Sequence, residues 1–303
     1  MDLECQNCGA ALVVAEAQRT AKCPYCASPQ IVSRPASPDR PAPTFTIPFA
    51  LAEAPARELV RGWLQTRGFF RDPKLRTAAI TDMRGVYVPA YLYAAVAHSS
   101  YSASIGEDYT ETEHYTETND KGETEHKTRT VTRTEWRSLA GQHSSYVMDV
   151  LVTASRGLRN DELEAIEPFD LRQMRRHDDA LVAGWIAEEP TLSLDQCLQT
   201  ARSEAMQKVG ASLARFMPGD SHQNLTYQTR LENETADPMH VPVWVLAAQH
   251  DPAKPPVRIV VNGQSGVIHG KAPLAVVRIV LVVLTVLAVV ALAVLAVHLR
   301  RMS

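Results

Sequence analysis

Four cysteines stand in two pairs, Cys5-x-x-Cys8 and Cys23-x-x-Cys26, fourteen residues apart. A two-residue gap lets both sulfurs of one turn face a single metal. Four thiolates form the tetrahedral set that zinc takes at about 2.3 Å. Gly9, directly after Cys8, permits the open backbone of such a knuckle; Ala27 holds that place in the second turn and fits it less well. Two pairs at this spacing favour a metal over a redox dithiol. Four thiolates leave no open coordination position, so the expected Zn2+ is structural, not catalytic. A unit this small has little core of its own, and structural zinc contributes about 10–16 kcal/mol to folding. The ribbon's side-chain charges are Asp2, Glu4 and Glu16 against Arg19 and Lys22. A tetrathiolate zinc adds about -2, which favours protein contacts over nucleic acid.

No other residue earns a catalytic or cofactor-binding role. The phosphate-loop, H-E-x-x-H and G-x-S-x-G patterns are absent; Gly266 to Ala272 is one residue short of a phosphate loop and lacks its Ser/Thr. His177-Asp178-Asp179 and His250-Asp251 could be drawn as acid–base pairs but read as surface loops. Cys197 falls on the apolar face of a helix and reads as a buried, inert thiol. Trp63, Trp136, Trp185 and Trp244 read as core anchors.

The elements around these residues predict an α+β protein: an N-terminal zinc ribbon, a mixed α/β body with antiparallel sheets, and a single C-terminal transmembrane helix. The expected boundaries are 1–32 for the ribbon, 33–44 for a proline-rich linker, 45–271 for the α+β domain, 272–299 for the membrane anchor and 300–303 for a tail. Pro55 opens a helix with Leu59, Val60, Trp63 and Leu64 on one face. Residues 85–97 read as strand. Residues 106–137 read as a long polar hairpin turning at Asn119-Asp120-Lys121-Gly122. That register sets Thr118 against Thr124, Thr112 against Thr130, Thr110 against Thr132 and Glu113 against Arg129, although it also opposes Glu117 and Glu125. Ser193 caps a helix over 193–217, which Pro218-Gly219 ends. Strands follow at 224–231, 240–249, 256–262 and 265–269, with Asn262-Gly263 as a tight turn. Val88 to Tyr93 echoes Val241 to Leu246, which would suit two related halves.

From Ile279 to Val297 the chain carries no charge, and Thr285 is its one polar residue. Nineteen residues make a helix about 29 Å long, close to the hydrocarbon thickness of a bilayer. Arg278 bounds one end and His298, Arg300 and Arg301 the other. The opening MDLECQNCGA lacks the basic and apolar regions of a signal peptide, so Met1 to Lys271 is expected in the cytosol. Thiol pairs spaced for metal suit the same reducing compartment. Net charge is -3, and Pro252 to Ser303 holds six basic residues and no acid, so the first 251 residues carry -9. An acidic body argues against binding a phosphate backbone, and a basic neck suits anionic lipid.

Several segments together resemble bacterial membrane-anchored zinc-ribbon proteins labelled primosomal-helicase-like or TFIIB-type zinc ribbon. They are the four-cysteine ribbon, Phe45-Thr46-Ile47-Pro48-Phe49, Tyr87-Val88-Pro89-Ala90-Tyr91, Val241-Pro242-Val243-Trp244, and Val261-Asn262-Gly263-Gln264-Ser265-Gly266 running to Gly270-Lys271-Ala272-Pro273. Gln6 and Ala27 depart from a strict C-P-x-C-G knuckle. The resemblance implies no helicase activity, because the chain carries no motor. It implies an adaptor at the cytoplasmic membrane that works with SPFH (flotillin-like) and phage-shock-protein-A-like proteins in envelope stress or membrane remodelling.

The expectation is therefore a single-pass adaptor, not an enzyme, with the lipid bilayer and protein chains as partners and no small-molecule substrate. The ribbon and the 106–137 hairpin are its candidate docking surfaces. The alternatives are a membrane-tethered nucleic-acid-binding regulator and an uncharacterised membrane enzyme.

Overall fold

The structure is a computed structural model and describes residues 2–14, 22–33, 41–66, 68–118, 124–251, 254 and 256–302. In chain order the strands and helices are β1 (Asp2–Cys5), β2 (Ala11–Val13), β3 (Ile31–Ser33), β4 (Phe45–Thr46), α1 (Glu53–Gln65), β5 (Ala79–Thr118), β6 (Thr124–Thr153) and α2 (Asn160–Glu164). They continue as β7 (Arg175–Arg176), α3 (Asp179–Val182), β8 (Ile186–Glu189), α4 (Leu194–Phe216), β9 (Ser221–Gln249), β10 (Val257–Asn262), β11 (Ile268–Gly270) and α5 (Val276–Met302). The chain forms two compact units. The first holds Met1–Tyr91, Val152–Cys197 and Asp237–Ser303; the second holds Leu92–Leu151 and Leu198–Ala236.

In the first unit the strands lie in the order β11-β10-β9-β5-β8-β2-β1-β3, and β4 pairs with β9 and β7. The expected antiparallel sheet is instead mixed. β8 runs parallel to β5, with Val86 opposite Ile186, and β4 runs parallel to β9, with Phe45 opposite Met239. Parallel neighbours require a crossover, and the chain makes one between β5 and β8 by way of β6 and α2. The strands β1, β2 and β3, where the ribbon is expected, are part of this sheet. β2 pairs with β8, placing Ala11, Leu12 and Val13 opposite Glu189, Glu188 and Ala187.

The helix expected from Pro55 is α1. Its i, i+4 row Ala56, Val60 and Leu64 packs on Trp244, Leu246, Ile259 and Val261. Trp63 and Leu59 both sit one step round the helix from that row; Trp63 is half-buried with its ring against Gly270, whereas Leu59 is exposed. The tight turn expected at Asn262-Gly263 is a longer loop: Val261 pairs with Ile268. The buried Asn262 organises it. Its side-chain oxygen accepts from the amides of Gln264 and Ser265 at 2.8 and 3.0 Å, and its Nδ2 donates to the Ile166 carbonyl at 2.9 Å. An Asx-type cap of this kind replaces the two-residue turn.

In the second unit, parts of β5, β6 and β9 form a sheet with α4. Its small core contains Ala103, Ile105 and Met217. Tyr93, Ser99 and Ser102 of β5 bond Glu234, Thr229 and Thr226 of β9, in antiparallel order. The strands expected at 224–231 and 240–249 run as one. Left-handed residues, Asn224 and Asn233 in β9 and Asp149 in β6, let the ladder continue through bulge-like kinks. Helix α4 begins with a reciprocal cap: Gln196 N donates to Ser193 Oγ at 3.3 Å and Ser193 N to Gln196 Oε1 at 3.0 Å. It buries Cys197, Ala201, Ala205, Val209 and Leu213, as the apolar spacing predicts, while Leu194 and Phe216 at its ends stay exposed.

The polar hairpin forms from β5 and β6. Arg129 donates to Glu113 at 2.8 and 3.0 Å, as the register predicts. Thr134 to Asp108 at 2.6 Å belongs to the same frame. Lys127 donates to Glu117 at 2.8 Å, and the Glu125 side chain expected opposite it lies outside the described residues. The expected turn at Asn119 to Gly122 lies outside the described residues. Helix α5 includes one stretch, Val276–Val294, long and apolar enough to cross a membrane, and none of it is buried in the protein.

Candidate metal centre

The four cysteine sulfurs lie within 4.8 Å of one another. Cys5 to Cys26 and Cys8 to Cys23 are both 3.6 Å. A tetrahedron with about 2.3 Å from centre to corner has edges of about 3.8 Å, so this donor set fits a metal of that size with small adjustment.

Two local turns hold the sulfurs. Gly9 N donates to the Cys5 carbonyl at 2.8 Å and Ala27 N to the Cys23 carbonyl at 2.9 Å. These bonds fold each C-x-x-C back on itself, so that the amides of Asn7 and Cys8 face Cys5 and those of Tyr25 and Cys26 face Cys23. Both turns close through a left-handed residue, Gly9 at φ 74° and Ala27 at φ 56°. Amides aimed at sulfur stabilise thiolate. The Cys23 thiol, donating to Cys8, pulls the Cys8 pKa down to about 5. That same bond and burial push Cys23 up. A cation among the four sulfurs would displace their thiol protons.

The cluster is fastened to the sheet by a buried polar network. Tyr25, between the second pair, is 1% exposed. Its hydroxyl donates to Glu188 Oε2 at 2.5 Å, and Ser155 Oγ donates to Glu188 Oε1 at 2.5 Å. Arg258 lies 5.1 Å over the Tyr25 ring and donates to the Gly157 carbonyl at 2.5 Å. Gly157 has to be glycine for this contact: a Cβ there would meet the Tyr25 ring at 2.7 Å. Burial raises the Glu188 carboxyl to about 7, against the two donated bonds. Sequence reasoning did not find Glu188, Ser155, Gly157 or Arg258, which lie far from the cysteines along the chain. Tyr25 could have been suspected only from its place inside the second knuckle.

The remaining singled-out residues are dispersed. Cys197 is buried; its thiol donates to the Thr153 carbonyl at 3.5 Å, and burial pushes it up to about 11. Trp244 is a core residue at 3% exposure, whereas Trp136, expected in the core, is 43% exposed on the hairpin. The Trp136 ring covers Gly106 instead, which a polar two-stranded ribbon permits because it has no apolar face to receive it. Trp185 stacks on Phe49 with ring centroids 4.1 Å apart. Both line a cavity of about 480 Å³ with Trp244, Met83, Arg84 and Glu53. His177 lies in the loop between β7 and α3, with Asp178 and Asp179 exposed, but is itself half-buried, and its Nε2 is 3.6 Å from Asp179 Oδ1. Its Nδ1 is 2.8 Å from Thr46 Oγ1 and its ring lies 5.4 Å from that of buried His240, because the β4–β7 pairing turns it inward. His250 is half-buried, and Asp251 Oδ2 accepts from Lys74 at 2.8 Å.

No family model and no solved structure matches the chain. Among curated proteins it is similar to YdjG of Bacillus subtilis (strain 168), an uncharacterized protein, at 23% identity over 241 residues. The match covers 77% of this chain and spans 64% of the length of YdjG.

Proposed function

We propose that this protein is a membrane-anchored adaptor with a structural zinc in its ribbon and a polar hairpin as its docking surface. The observation that carries the reading is α5: Val276–Val294 is long and apolar enough to span a bilayer, and the protein buries none of it. An unburied apolar surface of that size needs a non-aqueous environment. Zinc is the metal that a closed set of four thiolates suits best. A tetrathiolate centre also suits a reducing compartment, which supports placing the globular part at the cytosolic face.

The ribbon's inner side is occupied by β8 and by the Tyr25–Glu188 contact, which favours the hairpin as the docking surface. Tyr109, Tyr115 and Trp136 are exposed there among paired Glu and Arg. Tyr, Trp and Arg are the residues enriched at the energetic centres of protein interfaces. The partners that the sequence resemblance implies, SPFH and phage-shock-protein-A-like proteins, are the first to test.

The experiment is affinity capture from detergent-solubilised membranes. The Tyr109→Ala/Tyr115→Ala protein is expected to stay in the membrane pellet and to lose partners that the parent retains. Full-length protein remaining in the supernatant after ultracentrifugation, without detergent, overturns the anchor. An unchanged set of partners overturns the docking role of the hairpin.

A further inference from the structure

The anchor helix is not joined to the body by a free tether. The segment just before α5 is bonded to a loop more than two hundred residues earlier in the chain. Ala275 N donates to the Phe70 carbonyl at 2.8 Å and Asp72 N to the Pro273 carbonyl at 3.0 Å. Arg71 and Leu274 form a β-bridge, and Arg71 Nη1 donates to the Ala272 carbonyl at 2.6 Å. Arg278, in the first turn of the apolar run, donates to the Phe69 carbonyl at 3.1 Å and lies 5.1 Å over the Phe69 ring.

This arrangement places Phe69 and Phe70 beside the start of the membrane-crossing stretch. They pack edge to face at 5.5 Å and yet are 59% and 48% exposed. Leu274, Val276 and Val277 beside them are more than half exposed as well. An apolar patch in water at the foot of a membrane helix is costly, whereas the same patch at the boundary of headgroups and acyl chains is stabilised.

We propose that the Phe69-Phe70 loop inserts into the bilayer interface beside α5 as a second membrane contact. Resting on the reading of α5 as a membrane anchor, the wedge lies about 5–10 Å into the headgroup–acyl boundary. Arg278 is then held by Phe69 at the edge of the apolar run, where its charge meets a carbonyl and a ring face. Two contact points fix the helix's rotation and the attitude of the first unit to the membrane plane, where one helix on a free tether would leave both open.

The test uses full-length protein in vesicles of lipids brominated high or low on the acyl chain, with Phe69→Trp and Phe70→Trp compared against the parent. The emission added by the new tryptophan is expected to be blue-shifted and quenched most by bromine high on the chain. Added emission that is unquenched at both depths, from protein that still floats with the vesicles, overturns the wedge and leaves the anchor standing. Parent protein that fails to float overturns the wedge together with the anchor. A Phe69→Ser/Phe70→Ser protein is expected to remain membrane-bound while its 272–278 backbone amides exchange faster; exchange equal to the parent's counts against the wedge.

Discussion

Ala27 carries a left-handed backbone where Gly9 carries the same conformation in the first knuckle. An L-residue with a Cβ pays about 1–2 kcal/mol for that conformation and glycine pays almost none. Ala27→Gly is therefore expected to stabilise the metal-loaded protein by about 1 kcal/mol, read as a higher melting temperature with unchanged metal stoichiometry. His240 gives a pH dependence. Burial first, and then the charge of His177, hold its imidazole down to about 4, against 6.5 in the unfolded chain. The unfolded chain thus takes up a proton near pH 6.5 that the folded protein refuses until about pH 4. Stability present above pH 6.5 is lost as pH falls through that window, by about 3 kcal/mol at most. His240→Gln should flatten that acid limb in urea midpoints measured against pH; a limb as steep as the parent's would assign it to other groups. The cysteine cluster could be read from the chain because each knuckle is local. The His177–His240 contact could not, since only β4, β7 and β9 together bring those rings near each other.

At the scale of elements, Ser193 and Gln196 form a capping box at the head of α4. Ser193→Ala is expected to cost about 1 kcal/mol, read from chemical denaturation with an unchanged m-value. Helices α1, α4 and α5 were legible, because apolar periodicity and caps are written within each segment. The sheet was less so. Residues 232–238, between the two expected strands, hold no large apolar side chain, and backbone pairing leaves no mark on such a stretch, so one strand reads as two. The Asn262 loop misled for a related reason. Asn-Gly also suits a two-residue turn, and what decides is the distant Ile166 carbonyl that accepts from Asn262. The parallel β5–β8 pair depends on a crossover that no short window contains. The hairpin's register was readable because its charges oppose each other in order. Those exposed pairs are screened by salt and add specificity more than stability.

At the scale of the molecule, the cysteine-bearing N-terminal strands are an outer part of the first unit's sheet, joined by β2 to β8 and by Tyr25 to Glu188. Metal removal should therefore reach beyond the cysteines. Chelation is expected to speed amide exchange at 186–189 as well as at 2–14 and to lower the melting temperature; protection kept at 186–189 would show that the sheet closes without the metal. The pairing of Leu12 with Glu188 also has a consequence for synthesis. A ribosome adds about 5–20 residues per second, so the knuckles emerge on the order of ten seconds before the strand that receives them. Through that interval Tyr25 is bare, the edge of β2 is unpaired and four thiols are open to oxidants. A metal taken up by the four cysteines during translation would cover the thiols and hold the knuckles ready for that strand.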